Sequence, residues 1–133
     1  QDPLVAIMPK NHRLAQLDEI PIQELGEDPF ISLLQSSAHD IHRALDNAGV
    51  RPNIKFTTKD DYAILAMVEQ GLGMSIMNQL ITEKRICDIA MLPLDPPSYC
   101  TLGVAMNSKA DVSPAVKMFL KYAVRMLTRI EKA

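Results

Sequence analysis

The sequence predicts an α/β fold built on a Rossmann-like βαβαβ layer, and three observations carry that prediction. Residues 57–78 (TTKDDYAILAMVEQGLGMSIMN) read as a strand end, a loop, an amphipathic helix, a glycine stop and a second strand. Residues 30–57 supply a preceding strand–helix–strand, so strands and helices alternate from Phe30 to Met77. Residues 4–8 (LVAIM) form a continuous apolar run, as expected of a strand buried on both faces. Strand–helix alternation of this kind folds as a parallel sheet with right-handed crossovers.

The elements are taken up in order. After the first strand, residues 9–15 (PKNHRLA) are a polar exit in which His12 reads as a loop or hinge residue rather than a catalytic base. Residues 21–25 predict one helical turn, and residues 26–29 (GEDP) carry turn chemistry. A strand is expected at 30–34. Ile41, Ala44, Leu45 and Ala48 then recur at helical spacing, with Gly49 as a stop and Ser37 and Asp40 as a start resembling a capping box. Residues 54–57 alternate as a strand. In the next helix Thr58 is the expected cap, Asp60 and Asp61 favour the positive end of the dipole, and Ile64, Leu65, Val68 and Leu72 form the buried face. Gly71 and Gly73 turn the chain into the strand 74–77. A short helix is expected over 80–88 with Glu83, Lys84 and Arg85 solvated, then an extended segment at 89–94, a rigid turn at 95–98 and a strand at 99–106. Ser113 and Pro114 open a last helix with Val116, Phe119, Leu120, Ala123, Val124 and Leu127 as its apolar stripe; Arg125, Arg129 and Lys132 stand near its negative end.

Length and composition narrow the function classes. At 133 residues the chain suffices for one domain but not for two sizeable cores. Its 47% hydrophobic and 23% charged residues are those of an ordinary globular domain. Fourteen Lys and Arg stand against sixteen Asp and Glu, so the segment has no basic excess for holding nucleic-acid phosphates. No apolar run approaches the roughly 18 residues of a membrane helix. Gln1 opens the chain with no signal segment, and the sequence is read as a piece of a longer protein. Cys87 and Cys100 fit neither a CxxC pair nor a His–Cys cluster and read as free thiols.

The helix end VEQGLG at 68–73, running straight into MSIM at 74–77, resembles the effector-binding domain of LysR-type transcriptional regulators. The proline, histidine and Leu-Ala spacing of residues 9–15 resembles the segment after the crossover strand in that family. Asn78 and Arg13 stand where its members commonly have prolines. The resemblance implies a periplasmic-binding-protein-like (type II) effector domain, incomplete in this chain: a second subdomain at about 9–94, with residues 1–8 and 95–133 as crossover strands and a remnant of the first. It implies a cytoplasmic regulator that binds a small-molecule effector and self-associates as a homodimer or higher, helix 40–48 and strand 54–57 contributing. DNA would be reached only through a winged helix absent from this chain. The last helix is then expected to expose its stripe, or to cover it with another copy.

The chemistry points to binding rather than reaction. No GxGxxG, P-loop, GxSxG or HExxH occurs. His39 and His42 would share a helix face but lack further ligands, so no metal is expected, and no cofactor or catalytic residue either. Asp60 and Asp61 are adjacent, about 100° apart on a helix, and cannot face one substrate as an acid/base pair. In an open parallel sheet, ligands sit beyond the carboxyl ends of the strands. Here those loops are Gln35-Ser36-Ser37, Thr57-Thr58-Lys59 and Asn78-Gln79, polar and rich in hydroxyls and amides. The first helix start carries no acid before Asp40 and should take an anionic group, with Ser36 and free amides as donors. The resemblance carries over onto Ser36, and with less weight onto Thr58 and Ser75. The same residues also suit plain turns and caps, and Met67, Met74 and Met77 suit either core filling or an adaptable pocket wall. Two other classes stay open: an enzyme fragment, for which Lys59 is the one candidate base, and a transport solute-binding protein of the same fold.

Overall fold

The computed structural model describes residues 1–34, 39–83, 86–106 and 112–130, the last three in backbone only. It divides into two units, residues 2–101 and residues 102–133 with Gln1.

The larger unit is centred on β1 (Asp2–Pro9), whose apolar run sends alternate side chains to opposite faces. β2 (Ile20–Pro21), β3 (Pro29–Leu33), β4 (Asn53–Thr58), β5 (Ser75–Asn78), β6 (Ile89–Asp95) and β7 (Tyr99–Cys100) complete the strands. β1 lies between β5 and β6, antiparallel to both, and β2 runs parallel to β6. β3 and β4 pair in parallel. Just ahead of β5, Met74 bridges to Phe30 in parallel, with Ile31 N–H donating to the Met74 carbonyl at 2.8 Å and Met74 N–H to the Pro29 carbonyl at 2.9 Å. The strands thus run β4-β3-β5-β1-β6-β2, and β7 flanks the start of β1.

Two buried clusters cover the two faces. Leu4, Ala6, Met8, Phe30, Met74 and Ile76 meet Ile41 and Leu45 of α1 (His39–Asn47), together with Leu14, Ile22 and Leu25 from the helical turns Arg13–Gln16 and Ile22–Gly26. Val5, Ile7, Ile31 and Met77 meet Ile64, Leu65 and Val68 of α2 (Asp61–Glu69). Helices on both faces of a mainly parallel sheet are the expected α/β solution. Met74 and Met77 are buried in these clusters and act as core filling. Gly73 is required by contact: a Cβ there would stand 2.6 Å from the Pro29 carbonyl oxygen, where β5 closes on β3.

Several expectations are corrected. Asp60, not Thr58, caps α2. Its backbone is extended and its side chain accepts from Tyr62 N–H at 2.8 Å, while the Thr58 hydroxyl accepts from Asp60 N–H at 3.2 Å. Leu72 lies beyond the helix and is exposed. The helix expected over 80–88 is the single turn α3 (Gln79–Thr82), with Glu83 as its cap; Lys84 and Arg85 lie outside the described residues. The strand expected at 99–106 ends at Cys100, because β1 offers it only two partners, Pro3 and Asp2.

In the smaller unit α4 (Pro114–Ile130) begins where predicted, Val116 N–H donating to the Ser113 hydroxyl at 3.3 Å. Most of its stripe is exposed, Phe119 at 64% and Leu127 at 54%, while Leu120 and Ala123 are half-buried. Among the described residues no helix is long and apolar enough to cross a membrane.

Candidate functional site

The sheet order locates a switch point. From β3 the chain leaves through α1 on one face toward β4, whereas from β5 it enters α3, whose Ile81 packs on the opposite face. Neighbouring parallel strands with connections departing to opposite faces open a crevice beyond their carboxyl ends, where open α/β sheets take ligands. Here those ends are Leu33-Leu34 and Asn78-Gln79.

The candidate residues that the structure describes lie at the end of β4 and in β5. Gln35, Ser36 and Ser37, which follow β3 in the sequence, lie outside the described residues. Thr57, Thr58 and Lys59 end β4, one strand farther out, tied back to β3 by Leu34 N–H donating to the Thr58 carbonyl at 2.7 Å. Thr57 and Lys59 are exposed and Thr58 is half-buried. Ser75 lies within β5. It is 1% exposed, on the α2 side of the sheet with Met77, and its hydroxyl donates to the Ile31 carbonyl at 2.7 Å. That bond fastens β5 to β3 at the point where they begin to separate.

The helix starts differ in charge. α2 is capped by Asp60 and carries Asp61 in its first turn, where burial, helped by Asp60, pushes the Asp61 carboxyl above its usual range. α3 is served from far away in sequence. The buried Asp2 carboxylate accepts from Leu80 N–H at 3.1 Å, filling one of the donors a helix start leaves open. α1 has Asp40 in its first turn, and that carboxylate is paired with Arg43 one turn on.

Sequence reasoning misses a polar group at the same edge. β1 runs antiparallel to β5, so Asp2 lies at the carboxyl end of β5, and the ladder sets Cys100 opposite Asp2. The Cys100 thiol is held above its usual range, first by its hydrogen bond to Asp40 and then by burial, with the Asn78 side chain acting in the other direction. A thiol so held is protonated near neutrality and is a poor nucleophile. No local pattern signals this group, because it joins residues from four separate elements.

His39 and His42 are exposed, and among the described residues no group of three His, Cys, Asp or Glu stands together as a metal site would. His12 is a turn residue: its Nδ1 accepts from Leu14 N–H at 3.3 Å, and its Nε2 lies 3.4 Å from Asp28.

The comparisons with known proteins agree with one another. The family model described as "LysR substrate binding domain" matches residues 1–128. The HTH-type transcriptional regulator CysB of Haemophilus influenzae is 30% identical over 96% of this chain and 41% of its own length. AlsR of Bacillus subtilis, another HTH-type transcriptional regulator, is 23% identical over 98% of this chain and 45% of its own. Among solved structures, HinK of Pseudomonas aeruginosa, a LysR family transcriptional regulator, superposes with a TM-score of 0.80 at 24% identity, over 96% of this chain and 46% of that one. The effector-binding domain of QuiR in complex with shikimate gives 0.71 at 23% identity over 94% and 61%. The chain therefore spans less than half the length of the curated relatives it matches.

Proposed function

The chain belongs to the LysR substrate-binding domain family, and from that premise we propose that it is the ligand-sensing part of a transcriptional regulator rather than an enzyme. A small metabolite occupies the crevice beyond β3 and β5. Gln35, Ser36 and Ser37 supply its first polar contacts, flanked by Thr57, Thr58 and Lys59, while Ser75 serves the sheet. Residues 9–94 make up the second of two subdomains, and residues 1–8 and 95–133 are crossover strands and part of the first. Ligand held between them favours one arrangement over another and so alters the geometry offered to DNA through a separate winged helix. The regulator works in the cytoplasm as a homodimer or larger assembly. β4 suits a place in that contact, as the outer strand of its sheet with Ile54 and Phe56 exposed.

The observation that carries the reading is the start of α1 at the switch point. Of the three helix starts of the larger unit, α2 carries two acids, Asp60 and Asp61, and α3 is served by Asp2, whereas α1 carries only Asp40, paired with Arg43, which favours α1 for an anionic ligand group.

A thermal-melting screen of this chain and of the intact regulator against small carboxylates, amino acids and aromatic acids tests it. A ligand at a hundred times its dissociation constant adds about 2.7 kcal/mol of stability. The expected result is a shift in the intact regulator that Ser36→Trp removes. A regulator whose effector response survives Ser36→Trp has its ligand elsewhere.

A further inference from the structure

The chain as a whole is nearly balanced in charge, but its two units are not. Residues 2–101 carry eight Lys and Arg against fourteen Asp and Glu, whereas residues 102–133 carry six against two. The positive unit concentrates its charge on α4. From 112 to 130 the sequence has no acid, and Lys117, Lys121, Arg125 and Arg129 follow one another at four-residue steps. Four residues advance a helix by about 6 Å and turn it by only about 40°, so these positions form a row along one side. Lys117, Lys121 and Arg125 are exposed, and none of the three makes an ion pair among the described residues.

The helix by itself gains nothing from such a row. Like charges four residues apart repel. Lys117 also stands in the first turn, where the dipole disfavours a cation, while α1 and α2 carry acids at that place. Nor does the row belong to the apolar stripe. Leu120 and Ala123, the half-buried residues of α4, lie well round the helix from Lys121, so a surface that covers the stripe leaves the row uncovered.

We infer that this row is a phosphate-contacting surface: Lys117, Lys121 and Arg125 engage the backbone of the DNA that the intact regulator holds. The inference rests on the reading of the chain as part of a DNA-binding regulator and is independent of the ligand crevice. Duplex DNA is an unbroken line of negative charge, one for roughly every 1.7 Å of its axis. A straight row of cations with no acid among them is the complement of such a line. The flexible stems of lysine carry compact charges to phosphates without demanding one register. Contacts of this kind add affinity at any sequence and leave the reading of bases to the winged helix.

The salt dependence of binding tests it. The intact regulator and its variant Lys117→Gln/Lys121→Gln/Arg125→Gln are titrated with a long random-sequence duplex, followed by fluorescence anisotropy, over a series of salt concentrations. Each phosphate contact contributes about 0.9 to the slope of log affinity against log salt, so the variant's slope should be shallower by about two to three. Each single Gln substitution should remove about one unit, which keeps the measurement decisive if the triple variant fails to fold. The charge-keeping variant Lys117→Arg/Lys121→Arg/Arg125→Lys should retain the wild-type slope, which separates lost charge from a disturbed helix. Equal slopes for the wild type and the Gln variants overturn the inference; if those variants instead lose binding to polyglutamate, the row serves an acidic protein surface. A regulator that does not bind the duplex at all removes the reading of the chain as part of a DNA-binding protein, and the role of the row with it.

Discussion

Helices α2 and α4 carry the same kind of message in sequence and meet opposite fates. Each places apolar residues on one face at helical spacing. In α2, Ile64 and Val68 are 0% exposed and Leu65 is 3% exposed, because β1, β3 and β5 present Val5, Ile7, Ile31 and Met77 to them. In α4, Val116 is 43% exposed, Val124 61% and Phe119 64%. Periodicity therefore states which residues share a face. Whether that face is covered depends on what the rest of the chain brings to it, and for α2 this means strands up to about sixty positions away in sequence.

The comparison breaks most sharply by truncation. Ile64→Ala should cost this chain about 2–5 kcal/mol in chemical denaturation, the lost transfer energy plus a cavity beneath α2. Phe119→Ala removes a larger side chain and should change stability by no more than about 0.5 kcal/mol, because little of it is withdrawn from water. A Phe119→Ala cost approaching that of Ile64→Ala would mean that α4 finds a packed environment in solution, and the contrast would disappear.

Legibility in the sequence divides along the same line. The runs at 4–8, 30–34 and 74–77 announce buried strands because burial on two faces demands nearly continuous apolar residues. Gly71 and Gly73 mark the helix exit because the backbone at 71 is left-handed and a side chain at 73 would collide with Pro29. Thr58 and Asp60 are both good capping residues two positions apart, and local preference does not choose between them. The chain does, by leaving Asp60 extended and starting the helix at Asp61. β7 is shorter than the apolar residues of 99–106 suggest, because strand length is set by the partner, and β1 begins at Asp2. The contacts from Asp2 to Leu80 and from Cys100 to Asp40 join residues tens of positions apart, and no spacing rule reports them. Ser75 is legible in principle. Strand alternation puts it on the same face as Met77, toward α2.

Ser75 gives a second, smaller test of the boundary between fold and site. Ser75→Ala leaves the Ile31 carbonyl without its side-chain donor and should cost about 1 kcal/mol. The effector response of the intact regulator should be unchanged at temperatures where the variant is folded. Loss of the response with stability intact would return Ser75 to the ligand site and move the boundary.

The smallest effect concerns charge at the start of α2. Burial, then Asp60, raises the Asp61 carboxyl above the 3.8 typical of an aspartate. The folded state thus holds the proton more tightly than the unfolded state does. Asp61 contributes full stability below its unfolded pKa, and that contribution is lost as pH rises through the higher folded value. Asn at this position does not ionise and so does not suffer the loss. Asp61→Asn should match the wild type in strong acid and become the more stable of the two as pH rises through the carboxylate range, by no more than about 0.5 kcal/mol for this partly exposed position. Paired melting curves across the acid range up to neutrality measure the gap directly. Acid in the first turn of a helix is otherwise favourable, so a gap of the opposite sign would mean that the dipole of α2 outweighs the cost of burying Asp61 beside Asp60. The second helix start would then be less hostile to negative charge than the choice of α1 for the anion requires.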